Sequence, residues 1–471
     1  MREEFQWEDD FRVSGLAVRF EKMLEDGTDI YFDLEDFELL IDYYQMTFHN
    51  EMSQKALTLA QRMHPYSSSV KIRFARQYAN EGKYASALNV LNELSASEPD
   101  DAEVIMTRAS VYSLMMEYQK AVDEYQKALT ITDEEEWEEI YTTIAYEYEN
   151  MGAYDLALHH LNLALEIAQE PEQLLFEIGM CYEMADRIED AIEFFKNFLN
   201  QQPSSIASWF NLALSYHHLE LYEKAVDAYE YVLAIDDTYL PAYLSMAQSY
   251  AAMGEYRKAL EVYHESETYD PAEPLTLYYM GECHEKLLEY DDALKYYHKA
   301  LEMDDTLPEA WAGIGVIFDE QGNTKAAVNY LDKAIELDQL NTEFLLIQAE
   351  LMMKLKRYDK AKSCFQRIEE IDPKDPDLWK EYSAMYVAEG EFQKAVQVLK
   401  TGLIHRAEDA SIMYRMVAVL LLSNNMVQAC YYLEIALEID PEGHKELLDY
   451  YPGVQKYPRV IEIISNHLCK Q

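Results

Sequence analysis

The chain has 471 residues, with 88 acidic against 39 basic side chains and a formal net charge of −49 at pH 7. That much negative charge repels phosphate backbones and anionic membrane surfaces, so it argues against broad nucleic-acid or membrane binding and favours a basic or mixed-charge protein segment as partner. With 14 glycines, 13 prolines and few runs of alternating β-branched residues, the composition predicts an all-α protein.

In chain order, the opening MREEFQWEDDFRVSGL holds no apolar core of signal-peptide length. No later stretch approaches the roughly 18 consecutive apolar residues of a membrane span. Residues 1–36 are acidic and show no clear repeat, whereas Phe37 to Pro65 reads as a shortened helix pair. Together, residues 1–67 are read as a helical N-terminal cap carrying one degenerate repeat, with Ala56 in a role described next and Tyr44 where a small residue is expected.

From Ser68 a period takes over. Ala87, Ala121, Ala157, Ala191, Ala225, Ala259, Ala293, Ala327, Ala361, Ala395 and Ala429 follow one another at 34 residues, except that Ala157 lies 36 after Ala121. The two extra residues are placed in the acidic stretch ITDEEEWEE. With that alanine as position 20, position 8 is small (Ala75, Ala109, Ala145, Gly179, Ala213, Ala247, Gly281, Gly315, Ala349, Ser383) until Val417 in the last copy, and position 11 is mostly aromatic (Tyr112, Tyr148, Tyr182, Tyr216, Tyr250). Glycine recurs at position 15 (Gly82, Gly152, Gly254, Gly322, Gly390) and proline at position 32 (Pro99, Pro203, Pro271, Pro373, Pro441).

Small residues at 8 and 20 let two helices approach, bulky ones fill the space between them, glycine ends the first helix and proline stops the second. Each copy is thus an antiparallel helix pair that needs its neighbours to bury its apolar face. Eleven copies span residues 68–443, and residues 444–471 read as capping helices that end in the amphipathic run Val460 to Leu468.

The pattern resembles the tetratricopeptide repeat (TPR) family. The fifth copy carries Trp209, Leu212, Ala213, Tyr216, Ala225 and Tyr229 at the family's consensus positions, and the eighth carries Trp311, Gly315, Ala327 and Ala334. The resemblance implies an all-α, right-handed α-solenoid superhelix that works as a protein–protein interaction scaffold. In that family the first helix of each pair lines a concave groove that holds partner segments, through about positions 2, 5, 9 and 12 with 6 and 13 beside them.

Carried onto this chain, the groove positions give Arg73 and Arg76 in the first repeat; Glu139, Thr142, Tyr146 and Glu149 in the third; and Phe176, Met180 and Glu183 in the fourth. The fifth gives Phe210, Asn211, Leu214 and His217, the sixth Leu244 and Gln248, the seventh Tyr278, Tyr279, Glu282 and Glu285, and the eighth Glu309 and Asp319. Apolar side chains not needed for stacking, ringed by carboxylates, point to a basic or apolar partner segment. The family's chaperone-tail clamp of lysine, arginine and asparagine is missing: Lys380 stands at position 5 of the tenth repeat, but Ala384 follows at position 9.

Signals for catalysis are weak. The five cysteines, Cys181, Cys283, Cys364, Cys430 and Cys469, are scattered and odd in number, which suggests a reducing, cytoplasmic setting and no zinc or redox motif. GECHEK, from Gly281, clusters Glu282, Cys283, His284 and Glu285, but consecutive helical residues point apart, and His284 holds the position-11 slot of a packing side chain. No phosphate loop or nucleophile elbow is present. The expectation is therefore a non-enzymatic scaffold without metal or cofactor. A self-assembling structural protein, with Val460 to Leu468 as the associating element, and a regulatory subunit of an enzyme complex are the alternatives.

Overall fold

The computed structural model describes residues 2–28, 30–375 and 377–468, with side chains from residue 13 onward; among these it has 27 α-helices and no strand. The chain divides into two compact units, Met1–Asp237 and Thr238–Gln471. No helix among the described residues is long and apolar enough to cross a membrane. Cys469 lies outside the described residues.

Every repeat is a helix pair built by the same local devices. In the first, Ser68–Asn80 is followed by Tyr84–Ser97. The Ser67 hydroxyl accepts from the Val70 amide and caps the first helix, as Asp101, Ser205, Asn341 and Asp409 do in other copies. The first helix ends at position 15 in the left-handed conformation. There the Gly82 amide donates to Ala79 O at 2.9 Å and the Lys83 amide to Tyr78 O at 2.7 Å, closing the final turn.

Close approach of the two helices explains the small residues. Ten of the eleven anchor alanines have no exposed surface, and Ala191 has 2%. At position 8 the spacing is tight enough that a Cβ on Gly315 would stand 2.2 Å from Leu331 Cδ2. Where position 4 is tryptophan, the indole ties the helix start to the preceding turn. Trp209 donates to Pro203 O at 2.9 Å, Trp311 to Asp305 O at 2.9 Å and Trp379 to Pro373 O at 3.0 Å.

The extra residues of the third repeat form a 3-10 turn, Glu134–Glu136, directly before the helix Trp137–Asn150. In the first unit the degenerate pair is Leu34–Met46 with Asn50–Met63. Tyr44, at the small position, is 2% exposed; its ring meets Phe20 and its hydroxyl donates to Glu21 at 3.2 Å, so helix Arg2–Asp26 covers this end of the unit.

The second unit carries a continuous apolar core from Ala312 to Ile464. Its last helix, Pro458–Leu468, packs on the second helix of the eleventh repeat, Met426–Ile439, with Val460 fully buried and Ile464 6% exposed. The apolar stripe considered for self-association is therefore used within the chain.

Candidate functional site

In the first unit, the first helices of repeats three, four and five are Trp137–Asn150, Glu172–Met184 and Ile206–His218. At position 9, Tyr146 and Met180 are each 60% exposed, while Leu214 is half-buried. At position 5, Phe176 and Phe210 meet edge-on with centroids 6.1 Å apart, and Phe210 lies 5.7 Å from Tyr229, a fully buried ring. Phe176 and Phe210 are thus a half-buried aromatic pair on the same first helices that carry the exposed Met180 and the half-buried Leu214.

Two expected groove residues have internal duties. Asn211 is buried, not on the surface: its amide donates to Ala207 O at 2.9 Å and Leu175 O at 3.3 Å. It occupies the space that Gly179 leaves, where a Cβ would fall 2.0 Å from Asn211 Oδ1. Asn211 is accordingly a tie between consecutive first helices, corrected from a partner contact. Thr142 is half-buried and its hydroxyl donates to Glu138 O at 2.8 Å. His217 is half-buried against Tyr222, and burial followed by the neighbouring His218 pushes its imidazole below the ordinary range.

Beside Tyr146 opens a cavity of about 570 Å³, walled by Glu135, Glu138, Glu139, Glu149, Glu170 and Glu177, with no basic side chain in its lining. Burial raises the Glu149 carboxyl, the charge of Glu177 raises it further, and a hydrogen bond with Cys181 pulls it back. The register positions identified Glu139 and Glu149. They missed Glu135, Glu138 and Glu170, whose signal was the acidic composition of ITDEEEWEE and of the turn before repeat four, and Glu177, which stands at position 6 of repeat four, beside the groove positions, on the helix Glu172–Met184.

The first repeat offers no free cationic clamp. Arg73 forks onto Asp42, and Arg76 pairs with Glu103 at 3.1 Å and donates to Thr107 at 3.2 Å.

In the second unit, Leu244 and Gln248 are half-buried on Leu240–Ala252. On Pro274–Lys286, Tyr278 stacks on Tyr297 at 5.8 Å and touches Tyr279 at 5.3 Å. Tyr297 is 1% exposed, and its hydroxyl donates to Glu285 at 2.8 Å. Burial raises the Glu282 carboxyl, opposed by Lys286 and reinforced by Glu343. Burial also raises Glu285, against the pull of the Tyr297 hydrogen bond. Tyr278 and Tyr279 are thus a half-buried aromatic pair with Glu282 close by, and burial makes Glu282 and Glu285 reluctant to ionise.

The GECHEK cluster disperses. Cys283 is buried and its thiol is pushed up to about 12, so it is no ready nucleophile. His284 stacks on Tyr296 at 5.3 Å, with Nδ1 2.9 Å from Glu289. Among the described residues no three His, Cys, Asp or Glu side chains are grouped to hold a metal ion.

Tetratricopeptide repeat models match residues 138–171, 173–205, 206–239, 242–275, 274–307 and 320–381. No curated protein matches the sequence. Among solved structures, the Cut9-Hcn1 hetero-tetramer of the APC/C aligns at 15% identity over 89% of this chain and 93% of its own, with a TM-score of 0.43. A tetratricopeptide repeat protein from Parabacteroides merdae aligns at 14% identity over 53% and 99%, with a TM-score of 0.46. MamA aligns at 21% identity over 34% and 95%, with a TM-score of 0.32. The family models fall on consecutive copies of the helix pair whose anchors, turns and close contacts are described above, and the chain is a tetratricopeptide repeat protein.

Proposed function

We propose that this protein is an interaction scaffold that holds a basic partner segment on the first helices of repeats three and four, with Tyr146 and Met180 as apolar anchors. The observation that carries the reading is the cavity walled by six glutamates and no cation, opening beside a tyrosine that is 60% exposed. Carboxylates that share a concavity raise the local negative potential and steer cations in, while the exposed apolar side chains set residence time. A bound ammonium or guanidinium would also relieve the repulsion between Glu149 and Glu177. In the second unit, Glu282, close to Tyr278 and Tyr279, offers a lesser version of the same chemistry, with Glu285 already bonded to Tyr297 and Lys286 nearby.

Titration of the full chain with a synthetic peptide alternating Lys and Phe tests the reading. Binding should weaken with added salt and on Glu149→Gln/Glu177→Gln. Binding indifferent to both changes, or selection of acidic peptides by this cavity, would overturn it. Self-assembly through Val460 to Leu468 is disfavoured because Val460 and Ile464, at the centre of that apolar stripe, are already buried within the chain.

A further inference from the structure

We propose a second docking site of opposite preference: the cleft between the second helix of repeat four, Ile188–Leu199, and both helices of repeat five, Ile206–His218 and Tyr222–Ile235, takes an acidic segment bearing a flat side chain. The cleft encloses about 500 Å³, and its lining includes Lys196, Asn200, Trp209, Tyr216, Lys224 and Tyr231, with Asp227 the single carboxylate.

Two observations set this cleft apart from ordinary repeat architecture. The first is unspent positive charge. A lysine at position 19 over the tyrosine at position 11 recurs along the chain, as Lys120 over Tyr112, Lys258 over Tyr250 and Lys394 over Tyr386. Each of those lysines is also paired with the glutamate three residues before it: Glu117 at 2.5 Å, Glu255 at 3.6 Å and Glu391 at 3.5 Å. In repeat five that place is held by Leu221. Lys224 sits 5.5 Å from the Tyr216 centroid and Lys196 sits 5.4 Å from the same ring, and neither forms an ion pair among the described residues. In a chain with 88 acidic against 39 basic side chains, two exposed ammonium groups converging on one ring without a carboxylate partner are a standing demand for an anion.

The second observation is an aromatic wall that repeat packing does not require. Trp209 and Tyr231 stack with centroids 4.3 Å apart and planes at 14°, yet Tyr231 is 55% exposed. Position 26, which Tyr231 occupies, is aromatic in this copy alone. A flat side chain laid along this wall would leave flanking carboxylates within reach of Lys196 and Lys224. The ligand preference is the inverse of that of the glutamate cavity, and the residues do not overlap.

Calorimetric titration of the full chain with a synthetic peptide alternating Glu and Phe, and with its Lys–Phe counterpart, separates the two sites. Lys196→Glu/Lys224→Glu should weaken the Glu–Phe peptide by about tenfold and leave the Lys–Phe peptide unchanged. Leu221→Glu, which supplies Lys224 with the ion pair its counterparts have, should weaken the acidic peptide by a smaller factor without loss of melting temperature. The proposal is overturned if the wild-type chain does not bind the Glu–Phe peptide, or if that binding survives both variants. It is also overturned if Glu149→Gln/Glu177→Gln removes acidic-peptide binding while the lysine variants do not.

Discussion

Tyr297 donates to Glu285 Oε2 at 2.8 Å while its ring fills the gap that Gly281 and Gly313 leave between two successive first helices. A Cβ on either glycine would stand 2.6 Å from a ring atom of Tyr297. The ring is 1% exposed, so it has no room to yield. Gly281→Ala and Gly313→Ala should each destabilise the protein by about 1–3 kcal/mol, the usual cost of overpacking. Tyr297→Phe keeps the ring and loses only the hydrogen bond, and should cost about 1 kcal/mol. Thermal melts followed by circular dichroism check the order: either alanine variant melting above Tyr297→Phe would contradict it.

Position 15 supplies a second prediction. All eleven repeats take positive φ there: five with glycine, at 68° to 80°, and six with Met116, Asp186, Glu220, Leu288, Lys356 or Asn424, at 54° to 61°. A non-glycine residue in this conformation costs roughly 1–2 kcal/mol, partly offset by the greater backbone freedom that glycine loses on folding. Met116 and Leu288 are 75% and 70% exposed and give up little burial when removed. Met116→Gly and Leu288→Gly should therefore each stabilise by about 0.5–1 kcal/mol, and Gly254→Ala should destabilise by about 1 kcal/mol. A lower melting temperature for Leu288→Gly would refute the strain argument.

Those six residues also mark where the sequence stops being readable. The five glycines announce the turn, but the others adopt it because the helices on either side are held by packing, which overrides local preference. The anchor alanines and the small residues at position 8 were legible because a backbone approach such as that of Gly315 to Leu331 tolerates few side chains. Groove membership was less legible. A register position gives a direction on a helix but not what the next helix places against it, so Asn211 reads as surface until Gly179 is seen to leave a space that it fills. The glutamate cavity needed both the repeat register and a 3-10 turn that lies outside it.

Glu147 predicts a pH dependence. It is 2% exposed and its Oε2 has no hydrogen-bond partner among the described residues. Burial lifts the carboxyl above its ordinary value of 4.5, and a hydrogen bond from Ser113 pulls it partly back. Its folded pKa thus exceeds its unfolded one, so the folded state binds more protons between the two values. The associated stability is fully present below pH 4.5 and is lost as pH rises through the raised folded pKa. Glu149, Glu282 and Glu285 shift in the same direction, through burial first. The melting temperature should accordingly decline as pH rises from about 4.5 towards neutrality. Glu147→Gln, which cannot ionise, should raise stability at neutral pH by about 1 kcal/mol and flatten the decline. A variant with the same pH profile as wild type would show that Glu147 is not a source of it.

The binding surface can be separated from the core by a choice of side chains that the structure now guides. Phe176 and Phe210 look equivalent by register, yet Phe210 also leans on Tyr229, which has no exposed surface, so Phe210→Ala strips packing from the core. It should cost about 3 kcal/mol or more and is a poor probe of binding. Tyr146 and Met180 are each 60% exposed, and their removal should change stability by no more than about 0.5 kcal/mol. If they anchor a basic segment beside the glutamate cavity, Tyr146→Ala/Met180→Ala should weaken the Lys–Phe peptide by about tenfold at an unchanged melting temperature. Raising salt should further weaken that variant, because the carboxylates remain to steer the ligand after the apolar anchors are gone. An unchanged affinity would mean that the exposed tyrosine and methionine are bystanders and that charge alone holds the partner.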